Sequence, residues 1–283
     1  MEIPRRPQSL AVALPASFTR DVPHLREKTG RIGLIARALA IFRVDRAIIY
    51  NDRADSQSIA DGKLLEKLLA YQETPQYLRR ALFPRDPDLQ FAGTLPPLRL
   101  PSHPDRATPN KGEIRDAVVI ESGATSLLNA GFDQLVNVDS RLNRLGRVTV
   151  QLTRTSPHLH GTLVDPVRLP IYWGFKVTRT DFKLGELVKK EKKDLTISTS
   201  RRGRSILEVM NELRVRWTSA RQPLVLFGSP NEGVPEILAR ERVPVDTIAD
   251  YNLNTIPNQG VETVRSEEAV FATLSELNIL ENS

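Results

Sequence analysis

Two segments decide the fold: Leu224-Val225-Leu226-Phe227-Gly228-Ser229-Pro230-Asn231-Glu232-Gly233, and Leu253-Asn254-Thr255-Ile256-Pro257-Asn258-Gln259-Gly260-Val261-Glu262-Thr263-Val264-Arg265. Each reads as a buried strand that runs into a Gly/Pro-rich loop and then a helix. Glycine permits positive φ and close backbone approach, and proline fixes a turn while donating no hydrogen bond. Two such loops, about 25 residues apart, read as one ligand cradle built from backbone, at the strand ends where open α/β sheets bind small ligands. A phosphate cradle is the rival, but the chain has no Gly-x-x-x-x-Gly-Lys-Ser/Thr, the pattern that a P-loop needs. Two ordinary turns capping strands are the plainer alternative.

Working outward, 283 residues suffice for two modest domains, or one large domain with an insertion. The absence of cysteine excludes a disulfide framework, a thiolate zinc site and a cysteine nucleophile within this chain, and suits the cytosol. No secretory apolar core stands near the amino terminus, and no apolar run reaches the roughly 20 residues that a membrane span needs. A soluble, cytoplasmic protein without membrane association is expected. Forty Lys+Arg against 34 Asp+Glu give a net charge of +6 and a pI of about 9.7, which favours a polyanionic partner without requiring one.

Ser9 to Leu14 is a short apolar run closed by Pro15, which fits a buried strand. Ile32, Ile35, Leu39 and Phe42 then share one helical face. Arg46 to Tyr50 reads as a second strand and Ile59 to Tyr71 as a second amphipathic helix. This alternation implies a parallel sheet. After Gly93 the texture becomes proline-rich and β-rich. Val118–Ile120, Gln134–Val138, Arg147–Leu152, Leu159–Val164 and Tyr172–Thr178 are strand candidates, and five short strands fit a small barrel of the oligonucleotide-binding type. From Gly93 to Thr180 the chain carries eleven Lys/Arg against seven Asp/Glu. Arg141, Arg144 and Arg147 are candidate RNA contacts on this basic insert, although a solvated barrel surface has the same look.

The α/β texture returns with a helix at Leu184–Lys190, a strand at Leu195–Ser200, a helix at Ser205–Leu213, the strand Leu224–Phe227 and a short helix at Pro235–Arg240. Asp246–Ile256 is a final strand with its exit. Thr263 is the expected cap of the last helix, with Glu267 and Glu268 in its first turn, where the helix dipole favours acids.

The pairing of Phe227-Gly228-Ser229-Pro230 with Asn254-Thr255-Ile256-Pro257-Asn258-Gln259-Gly260 and Thr263-Val264-Arg265-Ser266-Glu267-Glu268-Ala269 resembles the knotted SPOUT superfamily of S-adenosylmethionine-dependent RNA methyltransferases. Leu10–Pro15, Ile35–Ala38, Pro75–Arg79, Leu89–Gly93, Tyr172-Trp173-Gly174 and Leu195–Ser200 look like its archaeal and eukaryotic branch, which is proposed to methylate uridine N3. The resemblance implies a Rossmann-like α/β domain with a carboxyl-terminal trefoil knot, interrupted by an OB-like barrel: residues 1–92 and 181–283 for the former, 93–180 for the latter. It also implies a homodimer formed through the knot, a ribosomal RNA substrate, no metal and a bent S-adenosylmethionine. The knot follows from the resemblance alone, since knots are rare among folds.

On this resemblance Phe227, Gly228, Glu232, Gly233, Asn254, Ile256, Pro257, Gln259, Gly260, Thr263 and Val264 are the expected cofactor residues. Gly260 falls where backbone must approach the cofactor, so a valine there is expected to block binding. Loss of the uracil N3 proton spreads negative charge onto O2 and O4, where a guanidinium helps. Arg37 on the first helix and Arg202 after a strand match arginine positions of the family and are the candidate catalytic residues. Glu232 and Glu268 are available as bases, yet a turn and helix-start electrostatics account for them equally well. Glu232 could balance the sulfonium or cap the helix near Val234. His158 and His160 lack partners for a metal site. A non-catalytic RNA-binding or ribosome-assembly factor with a vestigial pocket is the second reading, and a protein or small-molecule methyltransferase the third.

Overall fold

The computed structural model describes residues 3–105 and 108–282. In chain order its elements are β1 (Ala11–Pro15), α1 (Leu25–Ile41), β2 (Arg46–Tyr50), α2 (Ser56–Glu73), α3 (Gln76–Leu82), β3 (Ile114–Glu121), β4 (Ser126–Asn129), β5 (Val136–Val138), β6 (Arg147–Arg154), β7 (Leu159–Val164), β8 (Lys176–Arg179), α4 (Leu184–Glu191), β9 (Leu195–Ser205), α5 (Ile206–Ser219), β10 (Pro223–Leu226), α6 (Val234–Arg240), β11 (Tyr251–Asn254) and α7 (Ser266–Asn282). They pack as two compact units. One comprises Tyr71–Leu89 and Leu98–Gly174 with the residues up to Arg5, and the other Arg6–Ala70, Gln90–Pro97 and the chain from Phe175 onward.

The second unit holds a six-stranded, all-parallel sheet in the order β11-β9-β10-β1-β2-β8. Strands covered on both faces need continuous apolar runs, and β1 (AVALP) and β10 (PLVL) are buried at every position. Ala11, Ala13, Ile48, Tyr50, Leu224 and Leu226 form one face of the core against Leu184, Leu187, Val188, Val234, Ile237 and Leu238 of α4 and α6. α1 buries Ile32, Ile35 and Leu39 and exposes Leu34 and Ile41, as its spacing dictates.

In the other unit, β3-β4-β5-β7-β6 close into a barrel, antiparallel except for β5 with β7. Its core is Ala117, Val119, Leu128, Ala130, Val136, Val138, Val150, Leu152 and Leu159. Five strands were expected and five are present, but their membership differs. Ser126–Asn129 had no strand signal, because its ladder is four residues long with Leu128 as its buried apolar side chain. Tyr172–Thr178 was expected in the barrel; instead Lys176–Arg179 is the edge strand beside β2. An edge strand with one face open to water tolerates Lys-Val-Thr-Arg, which carries no sheet-specific pattern.

Three boundaries also move. β9 runs to Ser205, so Arg202 lies within it and not after it. The expected strand at Asp246–Ile256 is a single 3₁₀ turn at Val245–Thr247 followed by β11. α7 begins at Ser266, and its entry is closed by the Glu268 carboxylate, which accepts from the Arg265 amide at 2.9 Å, so Thr263 is not the cap.

Candidate active site

A bulge in the carboxyl-terminal half of β9 and the loops that follow β10 and β11 together line a cavity of about 460 Å³, within the size range of small-ligand sites. β9 contributes a bulge. Its pairing with β11 jumps from Ser198↔Asn252 to Arg204↔Leu253, so Thr199 to Gly203 leave the ladder. Bulges of this kind re-aim side chains beside functional sites. Gly203 allows this one, since a Cβ there would meet the Asn252 carbonyl oxygen at 2.6 Å and Leu253 carbonyl carbon at 2.7 Å.

After β10, the Phe227 amide donates to the Ala13 carbonyl at 3.0 Å and its carbonyl accepts from the buried Tyr50 phenol at 2.8 Å. The chain then turns on itself. The Ser229 amide donates to the Glu232 carbonyl at 2.8 Å, and the Glu232 amide to Ser229 Oγ at 3.1 Å. The turn is so tight that a Cβ on Gly228 would lie 2.5 Å from the Glu232 carbonyl oxygen. Burial, and then the nearby Asp52, push the Tyr50 phenol well above its ordinary pKa, so it stays a neutral donor.

After β11, Asn254 joins two elements: its Oδ1 accepts from the Ile256 amide at 3.0 Å and its Nδ2 donates to the Arg201 carbonyl at 3.0 Å. Gln259 Nε2 donates to the carbonyls of Val261 at 2.8 Å and Glu262 at 3.1 Å. Arg201 donates to the same Glu262 carbonyl at 2.6 Å.

Of the expected cofactor residues, Phe227, Gly228, Glu232, Gly233, Asn254, Ile256, Gln259, Thr263 and Val264 surround the cavity. Pro257 and Gly260 do not, and a Cβ on Gly260 would meet nothing within 4 Å. Arg202 also lines the cavity. Its side chain is 80% exposed, and its ion pair with Glu236 spans 3.7 Å, a contact that holds it weakly. Arg37 is not among the lining residues; its guanidinium donates to the Pro97 carbonyl at 3.1 Å.

Arg141 and Arg144 are exposed in the segment between β5 and β6. Arg147, also expected to meet RNA, places its guanidinium on Glu73 at 2.6 Å and Asp116 at 2.6 Å. Both acids hold its pKa above the ordinary arginine value despite the burial that opposes them. Of the candidate bases, Glu268 accepts from the Arg265 amide, and Glu232 pairs with Arg53 at 2.6 Å and Arg240 at 3.0 Å. His158 and His160 gain no metal partners: among the described residues no group of three or more His, Cys, Asp or Glu is placed to hold a metal.

Sequence reasoning missed Arg53, Arg201 and Arg240. Arg53 and Arg240 are brought together by the sheet, and no spacing could pair them. Arg201 had a signal, its place beside Arg202 in a Gly-terminated strand exit.

The donor set fits S-adenosylmethionine. Apolar Phe227, Leu253, Ile256 and Val264 provide surfaces for a flat ring, while Asn254, Gln259, Glu232 and the turned backbone provide hydrogen-bonding edges. The lining holds no lysine, unlike a phosphate cradle of the P-loop kind.

Comparisons with known proteins agree with this chemistry. A family described as "Putative RNA methyltransferase" matches residues 9–277. An uncharacterised protein of Haloarcula marismortui is 33% identical over 96% of this chain and 99% of its own length. The 28S rRNA (uridine-N(3))-methyltransferases of Mus musculus and Homo sapiens are each 32% identical over 96% of this chain, and over 76% and 78% of their own lengths. Together with the SPOUT-like motifs around the cavity, the match over nearly the whole length establishes that this chain belongs to that family of S-adenosylmethionine-dependent RNA methyltransferases.

Proposed function

We propose that this protein methylates N3 of a uridine in ribosomal RNA. The observation that carries the reading is the cavity at the ends of β9, β10 and β11, found in a chain whose 32%-identical relatives are named for that reaction. Bound S-adenosylmethionine supplies an electrophilic methyl group. The protein's part is to bind, orient and exclude water, which can account for most of such a rate. Phe227 and Ile256 shield the adenine, and the backbone of the two loops reads its edge. Arg202, exposed at the rim, meets O2 or O4 of the uracil and stabilises the imide anion as N3 loses its proton. Glu268 is held by the Arg265 amide and Glu232 by two guanidiniums, so the reading assigns no carboxylate as base, and the N3 proton passes to solvent water before the methyl group moves from sulfur to nitrogen.

The RNA runs over the barrel, an OB-like module spanning 93–180, with Arg141 and Arg144 as phosphate contacts. The methyltransferase domain comprises 1–92 and 181–283, carries a trefoil knot through which two copies pair, and works in the cytoplasm. Arg37 acts, on this reading, outside the cavity of its own chain. Mass-spectrometric mapping of methylated nucleotides in RNA from cells with and without the protein tests the proposal. Loss of one N3-methyluridine from ribosomal RNA is expected. A full complement of that mark in cells lacking the protein would sink it.

A further inference from the structure

The sequence leaves Glu232 undecided between balancing a cation and capping α6. α6 has Gly233 at its N-cap and no side-chain cap. Glu232 Oε2 instead receives two guanidiniums, Arg53 at 2.6 Å and Arg240 at 3.0 Å. Arg240 also donates to the Asp52 carbonyl at 3.0 Å, which ties the clamp to the exit of β2, one residue before Arg53. Among the described residues no hydrogen bond reaches Glu232 Oε1, although Glu232 lines the cavity.

Two guanidiniums on one oxygen already balance the charge of the Glu232 carboxylate. A carboxylate paired in this way gains little from a third cation, a sulfonium or an ammonium, and suits a neutral donor. We infer that Arg53 and Arg240 are positioning residues: they fix Glu232 so that Oε1 accepts from neutral hydroxyls of the bound nucleoside, its ribose diol. The inference rests on the reading of this cavity as the S-adenosylmethionine site. It makes Glu232 an acceptor in binding, neither a base nor a counter-ion.

The test is calorimetric titration of the full chain with S-adenosylhomocysteine and with 5′-methylthioadenosine, which shares the adenosine but lacks the amino-acid end. Arg53→Ala, Arg240→Ala and Glu232→Gln should each weaken both ligands by the same factor, about tenfold, the equivalent of about 1.4 kcal/mol. Arg53→Ala placed on Glu232→Gln should add less than twofold, because the two act through one contact. Arg53→Lys should recover most of the loss, since an ammonium can still meet Oε2. If alanine lowers the yield of folded protein, Arg53→Gln replaces it. Losses confined to S-adenosylhomocysteine would place Glu232 at the amino-acid end and overturn the diol assignment. Additive losses would overturn the positioning role. Wild-type protein that binds neither ligand overturns the cavity reading itself, and this inference with it.

Discussion

Arg201 donates to the carbonyl of Glu262 at 2.6 Å, and Gln259 Nε2 meets the same oxygen at 3.1 Å. Two donors from different elements thus converge on one backbone acceptor, and the β9 bulge is fastened to the loop after β11.

Arg201→Ala should loosen that loop without unfolding the sheet. Amide hydrogen exchange of residues 259–264 is expected to rise by about an order of magnitude in ligand-free protein, in line with the loss of about one charge-assisted hydrogen bond. Unchanged exchange there would refute the fastening.

Arg202→Ala should behave differently, although it is the next residue. Its exposed guanidinium has little structural attachment, so affinity for S-adenosylhomocysteine should stay within about twofold while turnover falls roughly 100-fold, as for a lost oxyanion donor. Measuring binding and single-turnover methylation together separates the cases. Equal losses in both would reassign Arg202 to cofactor binding.

Gly203→Ala is expected to cost about 1–3 kcal/mol and most of the activity. Its Cβ would be driven into β11 backbone, which cannot move aside as a side chain can. Chemical denaturation reads the stability; a change within about 0.5 kcal/mol, the size of an ordinary surface substitution, would mean that the bulge has slack.

Gly260→Val tests where that residue stands relative to the ligand. With open space around its Cβ and no place in the cavity lining, ligand affinity should shift by less than twofold. A loss of tenfold or more would return Gly260 to the binding site.

Glu73 sets a pH dependence. Burial raises its carboxyl from the ordinary 4.5 to about 7 against the pull of Arg147, with Asp116 adding to the rise. A carboxyl raised in the folded state contributes stability that is present below its unfolded value and lost as pH rises through the folded one. Unfolding free energy should therefore fall by about 3 kcal/mol between about pH 4.5 and pH 7 on account of this group, since each pH unit between the two values is worth about 1.36 kcal/mol. Glu73→Gln should remove that slope. Denaturant titrations at about pH 5 and pH 7.5, on either side of most of that fall, check it; identical slopes in both proteins would show that Glu73 ionises normally.

Much of the parallel sheet was legible because its strands are apolar throughout, as Ala11–Pro15 and Pro223–Leu226 must be when helices cover both faces. The edge strand β8 was assigned to the barrel for the complementary reason: Lys176–Arg179 is half in water and shows no alternation. At the site, the loops were legible because glycine and proline mark backbone that leaves the regular regions. The side chains around them were less so. Arg147 looked like a solvent-facing cation in a basic segment, and only the fold supplies the two acids that engage it. Arg53 is distant in sequence from Glu232 and Arg240, and their meeting depends on which strand ends the sheet places side by side.

The neighbour of β2 in the sheet has a consequence for how the chain folds. β2 ends at Tyr50, and its partner β8 starts at Lys176, so the intervening residues, the whole barrel among them, must leave the ribosome before that pair can zip. Contacts of such high sequence separation form late. Until then the outer edge of β2, with Ala47, Ile48, Ile49 and Tyr50 all destined for burial, stays open to mispairing. The barrel segment thus sets how long that edge waits for its partner during synthesis.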